Sequence, residues 1–354
     1  MQSSHKYLNT AATGLIEPGV RAAGDAFNAE LATGGSARAE QWRQDDDPAI
    51  RDSVATFLGT APANIALIPN FSWGLNGILF SLRGTERVLL YRGDYPSLTE
   101  PFLLNNFPIT WIESTDGFTL PLEEIRQRIR NREVDIVALS HVQYNSGYRL
   151  PIEEIGRLCR EYGVCFIVDA TQSLGCLPLD LSNQYADVLI ASNYKWMNAG
   201  FGTGIMYIND YFLQAYPPVV IGNNSLMMGN PNAPYEGSAL NYEPGHPNMY
   251  GFTILKEAIR HKQSLGLQEI EAHNMRLTGM LLDGIRHLPL QLLGPATTES
   301  RSAMVFLRDV NGLSEHIRKQ GIIVTARGGL IRISMHYYNR DADVTAMLAC
   351  LAKR

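Results

Sequence analysis

The sequence predicts an α/β fold: a large, mostly parallel sheet sandwiched by helices, followed by a smaller α+β unit. Three observations point there. Apolar runs with little polar alternation, such as V-D-I-V-A-L-S-H-V at 134–142, suit strands buried on both faces. These runs alternate with segments of helical periodicity, the order that builds βαβ units and parallel sheets. After about residue 209 the alternation stops, and a stretch rich in Pro, Gly and Asn at 216–248 leads into a differently ordered last third.

The elements follow in order. After the strand at 134–142, Ile152, Ile155, Leu158, Cys159 and Tyr162 recur at helical spacing. Pro151 suits the first turn of that helix and Gly163 its exit. V-C-F-I-V-D-A-T (164–171) is the next buried strand and completes a βαβ unit, and A-D-V-L-I-A-S (186–192) and G-T-G-I-M-Y-I (202–208) are further strands. The segment 216–248 has the composition of a long functional connection. Two helices then follow, split at Leu265-Gly266-Leu267. The end of the chain reads as strand (302–308), helix (313–320), strand (330–334) and helix (341–352). This order divides the chain into a large unit over 15–248 and a small one over 249–354, joined by the N-terminal segment 1–14, with the helix of the 250s as hinge. No internal repeat or low-complexity tract interrupts it.

Composition narrows the function classes. With 45% hydrophobic and 18% charged residues the 354-residue chain has the balance of a globular protein large enough for one large core and a smaller one. A formal charge of −5 and a pI near 5.9 give no electrostatic basis for binding nucleic acid or an anionic membrane. The opening M-Q-S-S-H-K-Y has neither a basic nor an apolar leader region, and no apolar run approaches the ~18 residues of a membrane span. Cys159, Cys165, Cys176 and Cys350 show no paired or histidine-rich spacing, so no metal site is expected and a reduced, cytoplasmic setting fits best.

Function in an open α/β sheet gathers outside the carboxyl ends of its strands. There stand Asp169 and Gln172 after one strand, then Ser192, Tyr194 and Lys195 after another. N-F-S-W-G-L-N (70–76) opens a helix, and Y-R-G-D-Y-P-S (91–97) follows a further strand. Lys195 is the residue to explain, an amine set between Tyr194 and Trp196 in S-N-Y-K-W-M-N-A-G-F-G-T-G (192–204). One cofactor needs this combination of groups. Pyridoxal phosphate is held as an imine by a lysine, and a carboxylate keeps its ring nitrogen protonated. Its phosphate suits a hydroxyl and backbone N–H groups at a helix N-terminus, and its ring suits an aromatic face. Lys195, Asp169, Phe71 with Ser72, and Tyr95 are the candidates for these roles in turn. The G-F-G-T-G run leads into a strand rather than opening a helix, which argues against a dinucleotide loop.

Taken together, these motifs resemble the class V, fold-type I pyridoxal-phosphate enzymes, which include aminotransferases, cysteine desulfurases, kynureninases and isopenicillin-epimerase-like proteins. The resemblance runs from Y-L-N-T-A-A-T-G (7–14) through V-D-A-T-Q-S-L-G (168–175) and the lysine run to E-P-G-H-P-N (243–248) and R-G-G-L-I-R-I-S-M-H-Y-Y-N (327–339). It implies a seven-stranded main sheet and a homodimer with shared active sites. For single residues it implies Gln172 at the cofactor's phenolic oxygen, Ser192 and Tyr194 at the phosphate, and His246 reaching the partner's phosphate. Arg332 clamps the substrate carboxylate, and either Tyr144 or Asn145 contacts the cofactor. Met227 and Met228 belong to entrance or interface packing. The implied reaction is that of an aminotransferase, with an eliminating lyase or an epimerase as the alternative. Desulfurases of this family carry a mobile cysteine ahead of the arginine motif, and between residues 177 and 349 this chain has none. A catalytically weak partner protein is disfavoured because Lys195, Asp169 and Arg332 are all present.

Overall fold

In the computed structural model, which describes residues 6–226, 237–295 and 297–353, the apolar runs of the first two thirds form one seven-stranded sheet. Met227 and Met228 lie outside the described residues. The chain starts with strand β1 (Lys6–Tyr7) and the long helix α1 (Pro18–Gln41). A π-helical turn over Trp42–Asp46 leads into α2 (Asp47–Leu58). Strands and helices then alternate: β2 (Ile65–Ile68), α3 (Phe71–Ser81), β3 (Val88–Tyr91), α4 (Pro96–Leu104), β4 (Ile109–Ile112) and α5 (Leu122–Arg130). The predicted βαβ unit follows as β5 (Ile136–Ser140), α6 (Ile152–Tyr162) and β6 (Cys165–Asp169), then β7 (Val188–Ser192), β8 (Gly204–Ile208) and α7 (Asp210–Ala215).

The strand order is β2-β8-β7-β6-β5-β3-β4, and only β8 runs antiparallel to its neighbours. Period-2 alternation sends side chains to two cores. Val137, Leu139 and Val168 belong to the core that includes Val20 of α1 and Val54 of α2, whereas Ile136, Ala138 and Ile167 meet Leu75 of α3 and Leu98 of α4 on the other face. Both faces are therefore covered, which is why the strands read as unbroken apolar runs. All five residues of β5, β7 and β8 are buried.

The connection at 216–248 contains short 3-10 turns at Asn223–Ser225 and Ala239–Tyr242. Its return is pinned by the buried Glu243, which accepts from Arg51 of α2 (2.6 and 2.8 Å) and from the Leu67 N–H (2.7 Å). Helices α8 (Met249–Leu265) and α9 (Leu267–Ile285) are separated by Gly266 at φ +81°. The last elements are β9 (Leu292–Leu293), β10 (Met304–Arg308), α10 (Leu313–Lys319), β11 (Ile322–Ile323), β12 (Thr325–Arg327), β13 (Leu330–Ser334) and α11 (Asp341–Ala352). Here the small antiparallel sheet β12-β13-β10-β9 packs Val305, Leu307, Ile331 and Ile333 against α9 and α11. Strand β1 pairs with β11 in a separate two-stranded sheet, and Asn9 bridges to Ser334 of β13. The N-terminal segment thus runs from the small sheet towards the turn after β7, where the Gly14 N–H meets the Tyr194 carbonyl. Among the described residues no helix is long and apolar enough to cross a membrane.

Candidate active site

Lys195 stands in the turn that follows β7, at the carboxyl edge of the main sheet. It is only 8% exposed, and its Nζ lies 5.5 Å from the ring centroids of both Tyr95 and Tyr194. Its backbone is held by close approach of the N-terminal segment, where the Gly14 N–H donates to the Tyr194 carbonyl (2.8 Å). A Cβ at Gly14 would fall 1.9 Å from the Lys195 carbonyl oxygen, so only glycine fits there. Burial pulls the Lys195 amine down to about 8; the nearby Asp169 carboxylate opposes this and the Arg332 cation adds to it.

Asp169 ends β6, one strand away from the lysine strand. It is buried, and the Thr171 N–H donates to its Oδ1 (2.8 Å). Burial raises its carboxyl to about 6, against the lowering effect of Thr171 and Lys195. A buried carboxylate in that state is stabilised by any cation brought beside it. Gln172 is fixed from two sides: its Oε1 accepts from the Trp196 indole (2.7 Å) and its Nε2 donates to the Ala11 carbonyl (3.2 Å).

The N-terminus of α3 closes one end of the cavity. Asn70 caps it by accepting from the Trp73 N–H (3.0 Å), and Ser192 Oγ accepts from the Phe71 N–H (2.9 Å). Ser72 is exposed on the first turn, where the positive end of the helix dipole favours an anion. Phe71, Ser72, Tyr95, Asp169, Gln172, Ser192, Tyr194 and Lys195 thus share one cavity of about 450 Å³. A contiguous cavity of about 550 Å³ adds Asn145 and Arg332 beside Lys195. Tyr144 lines both spaces and meets Tyr95 edge to face at 5.1 Å; Asn145 lines only the second and donates to the Gly93 carbonyl (3.0 Å). His246 is exposed and lines a separate cavity with Trp73 and Gly202, not the Lys195 pocket. The Arg332 guanidinium is desolvated and drops to about 10, still cationic at neutral pH, and its Nε is buried without a partner among the described residues.

These features fit pyridoxal phosphate: a buried carboxylate and amine in one cavity, with a helix N-terminus at one end. Beyond the lysine lies a guanidinium that donates only to the Tyr144 carbonyl and the Thr325 hydroxyl (3.4 Å each) and meets no carboxylate among the described residues. Sequence motifs did not flag Thr171, Asn70 or Asp94. Asp94 is fully buried and accepts from Ser140 N–H (2.9 Å), Gln143 Nε2 (3.0 Å) and Tyr95 N–H (2.7 Å), which sets the position of Tyr95. Thr171 and Asn70 lie within motifs already quoted; the N-cap signature of N-F-S was the available signal. Among the described residues no group of three or more His, Cys, Asp or Glu side chains gathers to hold a metal.

The family model "Aminotransferase class-V" matches residues 6–347. A protein of Pyrococcus abyssi named probable cysteine desulfurase is 26% identical, over 85% of this chain and 81% of that protein. An uncharacterized aminotransferase of Bacillus subtilis is 24% identical, over 97% and 92%. Among solved structures, the apo cysteine desulfurase of Thermococcus onnurineus superposes with a TM-score of 0.88 at 23% identity, covering 99% of this chain and 94% of that one. The cystine C–S lyase C-DES, in complex with cysteine persulfide, reaches 0.89 at 22%, covering 99% and 98%. At these identities the structural likenesses establish the fold.

Proposed function

Because the chain belongs to the aminotransferase class-V family, we propose that it is a pyridoxal-phosphate-dependent enzyme acting on an α-amino acid, in the first instance an aminotransferase. The carrying observation is that Lys195, largely desolvated, stands between the buried Asp169 in one cavity and Arg332 in the next, and that no carboxylate among the described residues neutralises Arg332. When bound, the cofactor supplies an electron sink that acidifies the substrate's α-proton. Asp169 would keep a proton on the cofactor's ring nitrogen, and Gln172 would hydrogen-bond its phenolic oxygen. Ser72, Ser192, Tyr194 and the first turn at Phe71–Ser72 would hold the phosphate. Tyr95 would supply an aromatic face for the ring.

Arg332 binds the substrate carboxylate in a bidentate pair, which orients the α-carbon towards Lys195. Lys195 would hold the cofactor covalently, and its free amine would act as general base on the substrate's α-proton. An amine near 8 is unprotonated far more often at neutral pH than an ordinary lysine, which suits that task.

Elimination of a β-substituent is the second reading, supported by relatives whose names describe carbon–sulfur bond cleavage. A cysteine nucleophile is not available by the mobile-loop route. Cys159 and Cys176 are buried with their thiols pushed up by desolvation, and no cysteine lines either cavity. A homodimer belongs to the same proposal. Trp73 and Ile221 expose apolar surface beside His246, which in a dimer would face the partner's phosphate site.

The test is a visible absorption spectrum of the purified protein before and after each of a panel of amino acids, with Lys195→Ala as control. A yellow band that shifts with one amino acid and is altered in the variant supports the proposal. Accumulation of the amine form of the cofactor assigns transamination, and release of pyruvate or alanine assigns a lyase. A protein that stays colourless after incubation with pyridoxal phosphate would refute it.

A further inference from the structure

We propose that Arg327 is a second anion-binding group of the substrate cavity, and that the amino acid taken carries an anionic side chain, a carboxylate or sulfinate. This rests on the preceding proposal and names the substrate class of the same site. The register of the small sheet places the residue. Strand β12 pairs antiparallel with β13, setting Thr325 opposite Arg332 and Arg327 opposite Leu330; on β10, Phe306 is also opposite Arg332. Opposed residues share a face and neighbours along a strand alternate. Ile331 and Ile333 therefore point into the small core, while Thr325, Arg327, Leu330, Arg332 and Phe306 point the other way. All five line the cavity that holds Lys195 and Gln172.

The turn between the strands fixes the height of Arg327 at the cavity's lip. Gly328 and Gly329 have φ of +59° and +73°, the two left-handed residues that a tight two-residue hairpin needs. Arg327 is diagonal to Arg332 across the hairpin, about 7–8 Å away between backbones. One carboxylate held bidentately by Arg332 does not also satisfy a guanidinium on that diagonal. A second anion on the same ligand does.

Charge selects this ligand over a neutral one. No Asp or Glu lines the cavity. Exposed Arg87, Arg276 and Arg318 each pair with a carboxylate, whereas Arg327 meets none within ion-pair distance among the described residues. Its positive field reaches inward: the Tyr144 phenol, raised by burial, is drawn back down by Arg327 and Arg332. Ala11 and Ala12 line the same cavity with short side chains and leave room beside the two cations.

The experiment is calorimetric titration of the purified protein, with and without pyridoxal phosphate, using non-reactive succinate, glutarate and maleate against propionate and butyrate. Spectral titration with aspartate, glutamate and cysteine sulfinate against alanine and serine accompanies it. Dicarboxylates are expected to bind on the order of tenfold more tightly than monocarboxylates, the worth of about one charge-assisted hydrogen bond. Arg327→Gln should collapse that ratio towards one, and Arg327→Lys should keep part of it. Equal affinities in the wild type, or a ratio that survives Arg327→Gln, would overturn the inference. Failure of the parent proposal looks different: the protein takes up no pyridoxal phosphate, while the dicarboxylate ratio can still be read on the cofactor-free chain.

Discussion

Asp169 and Lys195 illustrate how single side chains are tuned by burial more than by each other. Their mutual attraction should lower the acid and raise the base, yet both shifts run the opposite way because desolvation is the largest cause for each. It follows that cofactor-free protein should capture pyridoxal phosphate at a rate rising with pH through a midpoint near 8, followed by absorbance at several pH values. A midpoint near 10, that of a solvated lysine, would mean that the amine is not desolvated. Asp169→Asn should keep the visible band but lose on the order of a hundredfold in kcat, the usual cost of removing one pre-placed electrostatic partner. An unchanged kcat would detach Asp169 from the chemistry. Lys195 and Asp169 could be singled out in the sequence because each stands at or just after a strand end in a short run whose chemistry is local, whereas the roles of Gln172 and Arg332 came only from the family resemblance. Asp94 was not: its partners Ser140 and Gln143 lie 46 and 49 residues away, and its task is to hold other groups in place.

At the level of elements, the buried strands and the helices with clear periodicity could be read because packing on both faces leaves a plain apolar signature. The sequence places strands at 302–308 and 330–334, and the structure has β10 and β13 there. Helix α1 gave no such signal. It buries only Val20, Gly24 and Phe27 over 24 residues and contains Gly34-Gly35, so little amphipathic pattern is present. Strands β11 and β12 have two and three residues, too short for period 2 to show. The contact between the N-terminal segment and the lysine turn is equally invisible to periodicity, and it makes a sharp prediction. Gly14→Ala places a methyl against the Lys195 carbonyl and the Asn198 amide, at 1.9 and 2.5 Å. Overpacking of this kind costs about 1–3 kcal/mol, to be read as a lower urea midpoint, together with a perturbed spectrum of the bound cofactor. A variant with an unaltered midpoint and spectrum would show that the segment yields freely.

Across the whole molecule, the two sheets and the N-terminal segment meet behind the lysine turn around a fully buried amine. Lys262 of α8 donates from Nζ to Asn198 Oδ1 (2.9 Å) and lies 3.1 Å from Nε2 of His336, which follows β13. His336 Nε2 is also 3.0 Å from the Trp196 carbonyl, so the cluster ties α8 and the small sheet to the residue next to Lys195. No carboxylate pairs with Lys262 within this cluster, although Cys176 and Glu17 are near enough to favour its charge weakly. Burial therefore prevails and lowers its amine to about 7, and it holds His336 neutral as well. An unfolded chain keeps that lysine protonated to about 10.4, so between pH 7 and 10.4 the unfolded state binds more protons than the folded one. Stability from this site accordingly rises with pH through that window, by on the order of 5 kcal/mol across it, and the cost of burying the charge is complete below pH 7. Other buried groups, Lys195 among them, titrate in the same range, so the comparison must be between wild type and Lys262→Met at each pH. The variant loses the bond to Asn198 at every pH, which is a constant offset. What should change is the difference in urea-unfolding free energy, moving in favour of the wild type as pH rises from 6.5 to 9.5. A difference that stays flat over that range would mean that Lys262 is solvated or ion-paired in the folded protein, and that the junction between the sheets is looser than this cluster implies.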